Sequence, residues 1–424
     1  MEKTVLPNHR NYPRTALATV FLAVLIDLMG FGIVLPLLPF YAGTFNASAV
    51  QIGLLYSIYP FAQLIFSPIW GGLSDRFGRR PIMLMSTLGA SLAYLIFGLA
   101  HTLSLLFISR LIAGVMGGNI STAQAYVADV TTHEDRAKGM GLIGAAFGIG
   151  FVIGPAIGAL LIHPKFLNLL HIVPENEFAL PGFFASILSF ASFLLVLFKL
   201  PETVNKREAN TARVSRSSIF TSTFWRSIAT MGRKSSDGKY LFPLLILSIF
   251  LISFAQASLY SSFPLFCKHE LGQSADRVGM LFVYMGLIAV IIQGGLIKIL
   301  TKKFGEKKLF LVGSILMAVG LVLIPFASSM NVLILFLGVM SVGGSLNGPT
   351  LNSLISKEAD PSRLGATMGT SQGIASLGRV IGPTWGGFLY ELWYRLPFLL
   401  TALFLSLTIS VGFKLKRKPQ HSSR

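Results

Sequence analysis

Twelve runs of predominantly apolar residues, each long enough to cross a bilayer as a helix, constrain this chain more than any other feature. A membrane-spanning helix needs about 20 such residues. The runs lie at 16–40, 50–71, 82–100, 103–128, 139–162, 181–200, 241–263, 278–299, 309–327, 331–355, 366–389 and 397–413. They are too long and too uniformly apolar for a transmembrane β-barrel, whose strands alternate over about ten residues. Only 12% of the 424 residues are charged and 53% are hydrophobic, about half the charge of an ordinary soluble domain. The expected fold class is all-α integral membrane, with twelve transmembrane helices. Soluble-enzyme, disordered and fibrous classes are excluded.

The net charge is +18. In a soluble chain that excess would point to nucleic acid; here it marks the loops on one side of a membrane. With the N-terminus inside, 29 of the 35 Lys and Arg fall on the cytoplasmic side. Lys165, Lys268, Arg277 and Arg395 fall outside, and Arg110 and Arg379 lie within spans. Both termini are therefore expected in the cytoplasm, in a multi-pass protein of the cell (inner) membrane. The first apolar run is too long for a signal-peptide core and is expected to stay as a helix. The single cysteine, Cys267, excludes an intramolecular disulfide and a cysteine-based metal site. There is no GxxxxGK[ST] loop, so ATP is not the driving force; no cofactor and no metal are expected.

The chain repeats itself. GLIGAAFGIGFVIGPAIGALL (Gly141–Leu161) and GTSQGIASLGRVIGPTWGGFL (Gly369–Leu389) match at an offset of 228, with Val-Ile-Gly-Pro in common. GGLSDRFGRRP (Gly71–Pro81) has a weaker echo in LTKKFGEKK (Leu300–Lys308) at an offset of 227, and Asn119 answers Asn347. Residues 1–200 and 241–424 are thus expected to form two pseudo-symmetric six-helix halves. The polar segment 201–240 would link them. Within it Ile219, Phe220, Phe224, Trp225, Ile228 and Met231 recur at near-helical spacing, as in a short surface helix; a disordered linker is the alternative. Two similar halves around a midplane site are what alternating access requires.

Ionisable residues inside spans are expensive and mark function. Away from span ends there are three: Asp27, Arg110 and Arg379. Asp27 is the one carboxylate near the midplane and the leading proton carrier. Its depth and that of Arg110 differ by only a few ångströms, at about 1.5 Å per residue. A facing Asp27–Arg110 pair is expected, either for proton coupling or as a permanent pair that fixes packing. Arg379 could snorkel, pair with the linker or bind substrate. Uncharged polar residues within spans must face protein or a watery cavity. Tyr56, Gln63, Asn119, Gln124, Gln256, Tyr260, Gln293, Asn347, Gln372 and Arg379 are the candidate cavity set.

Four motifs carry a resemblance: LIDLMGFGIVLPLLP (Leu25–Pro39), GGLSDRFGRRP, SRLIAGVMGGN (Ser109–Asn119) and GIGFVIGPAIG (Gly148–Gly158). Together they resemble the major facilitator superfamily, and within it the twelve-span drug:proton antiporters of the tetracycline-efflux type. The resemblance implies a cytoplasmic latch at Gly71, Gly72, Asp75, Arg76, Gly78, Arg79, Arg80, Asp129 and Arg136, with Asp75 at the N-terminus of the eleventh span in the outward-open state. It also implies an antiporter-type helix motif at Gly150, Gly154, Pro155 and Gly158. Where tetracycline-efflux proteins carry acids in spans 3 and 9, this chain has Ala93 and an uncharged Leu309–Ala327. Lys302 stands where the first copy of the loop has Asp75. Those departures argue against tetracycline itself as cargo. The expected function is proton-coupled efflux of amphipathic organic compounds, by a protein that is no enzyme. A uniporter or symporter of a small metabolite is the alternative. Expected partners are the small organic substrate, protons and the lipid bilayer, with the protein a monomer.

Overall fold

The computed structural model describes residues 14–132, 135–169, 176–203, 241–359 and 364–417. Twelve long helices run through them: α1 Arg14–Val34, α2 Ala49–Phe77, α3 Arg79–Gly98, α4 Leu103–Val130, α5 Arg136–Leu161 and α6 Ala179–Lys199, then α7 Leu241–His269, α8 Ala275–Phe304, α9 Glu306–Leu323, α10 Met330–Glu358, α11 Leu364–Leu392 and α12 Leu396–Arg417. Eleven are long and apolar enough to cross a membrane. The other, α11, is as long but richer in Ser, Thr and Gln; it packs between α2 and α7, so much of its polar surface meets protein. The expected surface helix at 219–231 lies outside the described residues.

Prolines and glycines set the boundaries. The first apolar run ends as a helix at Val34, and a second short helix, Leu38–Thr44, begins with Pro39 in its first turn. Proline there gives up a donor that has no partner anyway. The fourth run breaks at Gly117–Gly118 between two helical stretches. The tight turns before α3 and α9 rest on Gly78 and Gly305, with φ of 110° and 78°. Those values lie in the left-handed region that glycine tolerates and other residues avoid. The two positions are related by the repeat offset, so the duplication is visible in the backbone as well as the letters.

The duplicated glycine motif does the same work twice. A Cβ on Gly150, Gly154 or Gly158 would stand 2.7, 2.7 or 2.6 Å from Leu28, Met29 or Ile33 of α1. A Cβ on Gly378, Gly382 or Gly386 would stand 2.8, 2.6 or 2.7 Å from Phe250, Phe254 or Ser258 of α7. Small residues of this kind let helix backbones touch in lipid.

The first six helices meet the last six along two seams, α2 with α11 and α5 with α8, pairs that correspond under the sequence repeat. At the end opposite the basic loops both seams are tight. Gly53 lies against Pro383, Gly387 against Ala49, and Ser57 Oγ is 2.8 Å from Thr384 Oγ1. On the other seam Gly279 lies against Ala159 and Gly286 against Phe151 and Val152. Toward the basic end the same helices part. A side chain on Gly148 would find only Val290, at 3.8 Å, and one on Gly141, Gly144, Gly294, Gly295 or Gly369 would meet nothing within 4 Å. The molecule is closed at one end and open at the end bearing most of the Lys and Arg of the described residues.

Candidate functional site

Asp27 sits midway along α1, where the glycine stripe of α5 presses on Leu28 and Met29. Its side chain is half-buried and forms no hydrogen bond or ion pair among the described residues. The expected direct pair with Arg110 is therefore absent in this state. Arg110 is 2% exposed, and its guanidinium lies 5.4 Å from the ring centre of Tyr94 and 5.0 Å from that of Phe97. Its Nε and Nη2 have no hydrogen-bond partner among the described residues. Cation–π contacts of this sort hold a guanidinium away from water, but they leave its donors unused.

Tyrosines join what the sequence separates. Tyr59 on α2 feels the charges of Asp27, Arg110 and Arg379 together. Tyr94 feels Asp27 and Arg110, and Tyr260 on α7 feels Arg379 and hydrogen-bonds to Gln256. Gly30 makes the room for Tyr94, whose ring would meet a Cβ there at 2.8 Å. Arg379 answers the question left open by its position: it lies beside Tyr59 and Tyr260, with Nη2 donating to Ser376 Oγ at 2.6 Å. One carboxylate and two guanidiniums, drawn from both halves, thus surround a tyrosine cluster. Phe31 and Phe151 extend the aromatic surface, with ring centres 5.0 Å from Tyr59 and 5.9 Å from Phe31 respectively. A small void lined by Leu35, Leu38, Tyr56, Tyr59 and Arg110 lies beside the site.

The rest of the candidate cavity set divides. Tyr56 is buried and donates to Leu35 O beside this void. Gln124, Gln256, Gln293 and Gln372 are exposed, the first three on α4, α7 and the π-turn of α8. Gln63 instead donates to Gly117 O at 2.9 Å, stitching α2 to the break in α4. The Asn119 side chain lies outside the described residues. Asn347 is a correction: it is fully buried between α9 and α10, accepting from Ser314 Oγ at 3.4 Å. Its match to Asn119 in the repeat says nothing about the direction in which the side chain points. A groove of about 630 Å³ on the α2–α11 seam, lined by Leu54, Phe61, Ile381 and Phe388, carries no charged group and is not this site.

At the basic end Arg79 bridges Asp75 at 2.5 Å and Asp129 at 3.0 Å and also donates to Ser74 Oγ. Arg80 and Arg136 donate to the carbonyls of Leu197 and Ala128, and Arg76 lies over Phe77. Gly71 and Gly72 are half-buried, with open space around Gly71. Pro155 continues the packing of the glycine stripe against Gly32. Sequence reasoning missed Glu202, whose carboxylate accepts the N–H of Arg79 at 2.9 Å and of Arg80 at 3.1 Å and so caps α3. Asp75 is bound within its own half.

These features are those of a known group, and the match to the family described as Major Facilitator Superfamily covers residues 20–299 and 245–424. The chain belongs to the major facilitator superfamily. It is 30% identical over 375 residues to the tetracycline resistance protein, class B, of Escherichia coli, covering 87% of this chain and 86% of that one. It is 28% identical over 414 residues to multidrug resistance protein 2 of Bacillus subtilis (strain 168), covering 96% and 97%. Among solved structures it is similar to the human organic anion transporter MFSD10 (TETRAN), with a TM-score of 0.67 and 26% identity over 95% of this chain and all of that one. The protein is a multi-pass membrane transporter of this superfamily and not an enzyme.

Proposed function

We propose that the protein extrudes small amphipathic organic compounds across the cell (inner) membrane in exchange for protons, by alternating access and as a monomer. The basic end faces the cytoplasm with both termini, so the state described above is inward-open. The observation that carries the reading is Asp27: among the described residues, an intramembrane carboxylate without a bonded partner, held near Tyr59 and Tyr94, with Tyr59 in turn close to Arg379 of the second half. A carboxylate so placed is a proton site in transporters. The aromatic surface around it suits the apolar part of varied substrates. The tetracycline and multidrug resistance proteins to which the chain is similar support efflux as the direction.

A lipophilic cation or zwitterion would displace the proton from Asp27, which is itself an exchange mechanism. Binding of the cationic dye ethidium to the purified protein should weaken as pH falls and Asp27 takes up its proton, and that dependence should vanish in Asp27→Asn. A second reading rests on the unused donors of Arg110 and the nearby Arg379, which favour a carboxylate-bearing substrate; the similar human protein is described as an organic anion transporter. The same titration separates the two. An anion would bind more tightly, not less, as Asp27 is neutralised.

A further inference from the structure

The closed end is held largely by apolar and backbone contacts, with Asp276 lying 3.8 Å from His163 on the α5–α8 seam and a second carboxylate set into the α2–α11 seam. Glu391 lies in the last turn of α11, beyond the span proper, and its Oε1 accepts the N–H of Val50 at 2.9 Å. Val50 belongs to the first turn of α2, whose N-terminus would otherwise keep unsatisfied donors. Ser48 caps one of them from within the first half, in a reciprocal arrangement with Gln51. Glu391 caps another from the second half. A carboxylate at a helix N-terminus is favoured by the helix dipole.

We propose that Glu391 is a gating residue: seated on the N-terminus of α2, its carboxylate holds the outer ends of the two halves together and must leave each time the transporter opens outward. The proposal rests on the alternating-access reading but not on which substrate or proton site that reading assigns. The other end of the same seam shows the complement. Asp75, near the C-terminus of α2, is bound to Arg79 of its own half at 2.5 Å rather than to α11. Each end of the seam thus carries one carboxylate, and the one at the closed end is engaged across the halves.

Other charges nearby are occupied elsewhere. On the end of α7, Lys268 lies over the Phe40 ring and His269 faces Tyr390, while Glu270 acts on Tyr390. Arg395 stacks on Phe326, Trp393 and Tyr394. Among the described residues none of these forms an ion pair with Glu391. Hydrogen bonds from Ser48 and from the backbone of Val50 and Ala49 hold the Glu391 carboxyl below its ordinary 4.5. A depressed carboxyl keeps its contact above its ordinary pKa and loses it only as pH falls through the lowered one. The Glu391 latch therefore stands at neutral pH.

The test measures the distance between the outer ends. Spin labels are placed at His101→Cys and Ser328→Cys, one on each half, in a Cys267→Ala background reconstituted in lipid nanodiscs. Glu391→Gln keeps an acceptor and removes the charge; Glu391→Lys reverses it. The ratio of closed to open outer ends should fall about twofold to fivefold in Glu391→Gln and further in Glu391→Lys, with thermal stability in detergent unchanged. An effect graded by charge is what a merely packed side chain would not produce. A Glu391→Lys protein that is folded and as closed as wild type overturns the proposal. If the grading holds while Asp27→Asn keeps full coupling, the gate stands and the assignment of the proton site fails.

Discussion

Gly150, Gly154 and Gly158 lie on α1 as Gly378, Gly382 and Gly386 lie on α7, at closely similar approach distances. The charges beside those two contacts are not alike. The first half places Asp27 beside its stripe and Arg110 over Tyr94 and Phe97, and ties Asp75, Arg79 and Asp129 together at the basic end. The second half offers Arg379 near its stripe, and at its basic end Lys357 pairs with Glu306 at 2.7 Å. Duplication preserved the backbone packing that lets two bodies rock, while the residues that handle charge diverged. A rocking scaffold uses the packing twice; the proposed proton site is needed once.

The comparison breaks most sharply at the two arginines. Arg110→Lys should abolish transport, because a point ammonium cannot reproduce a planar guanidinium held over Tyr94 and Phe97. Arg379→Lys should retain most of it, since Arg379 makes a single hydrogen bond to Ser376. Dye efflux by the two variants at matched expression decides, and equal losses would mean that the halves share the chemistry after all.

Next come the matched glycines. Gly154→Ala and Gly382→Ala each force a Cβ against main-chain oxygen, at 2.7 and 2.6 Å. Both should destabilise the protein by about 1–3 kcal/mol, the usual range for overpacking. Thermal unfolding in detergent should show similar losses; a large difference would deny the scaffold its symmetry.

The smallest effect is expected at the loop. If the loop is the latch that the family resemblance implies, Asp75→Asn should slow turnover several-fold with the folded protein still abundant, an effect of up to about 1 kcal/mol. Lys302→Gln, at the corresponding place in the second half, should leave turnover unchanged. Wild-type rates in Asp75→Asn would leave the loop a simple turn.

Much of this was legible in the letters. Span count and repeat follow from apolar run length and from Val-Ile-Gly-Pro occurring twice, because helices in lipid must satisfy their own backbone groups. Asp27 stood out because an ionisable group inside a span is costly. What the sequence could not show was contact between helices distant in the chain. Glu391 and Glu202 sit at helix ends, where acidic residues are unremarkable, and each becomes a cap only because another helix starts beside it. Tyr59 and Tyr94 read as ordinary aromatic residues of a span until the fold sets Tyr59 among three charges and Tyr94 beside two of them. Asn347 misled because the repeat preserves position along a helix and not the neighbour a side chain finds.

The central claim is that Asp27 couples the cycle to protons, and proteoliposomes test it directly. With an imposed proton gradient, wild type should concentrate ethidium against its own gradient, with proton movement in the opposite direction reported by a trapped pH dye. Asp27→Asn should still bind ethidium and exchange it passively, with neither accumulation nor proton flux. Continued accumulation by Asp27→Asn would make Asp27 a structural residue and contradict the account.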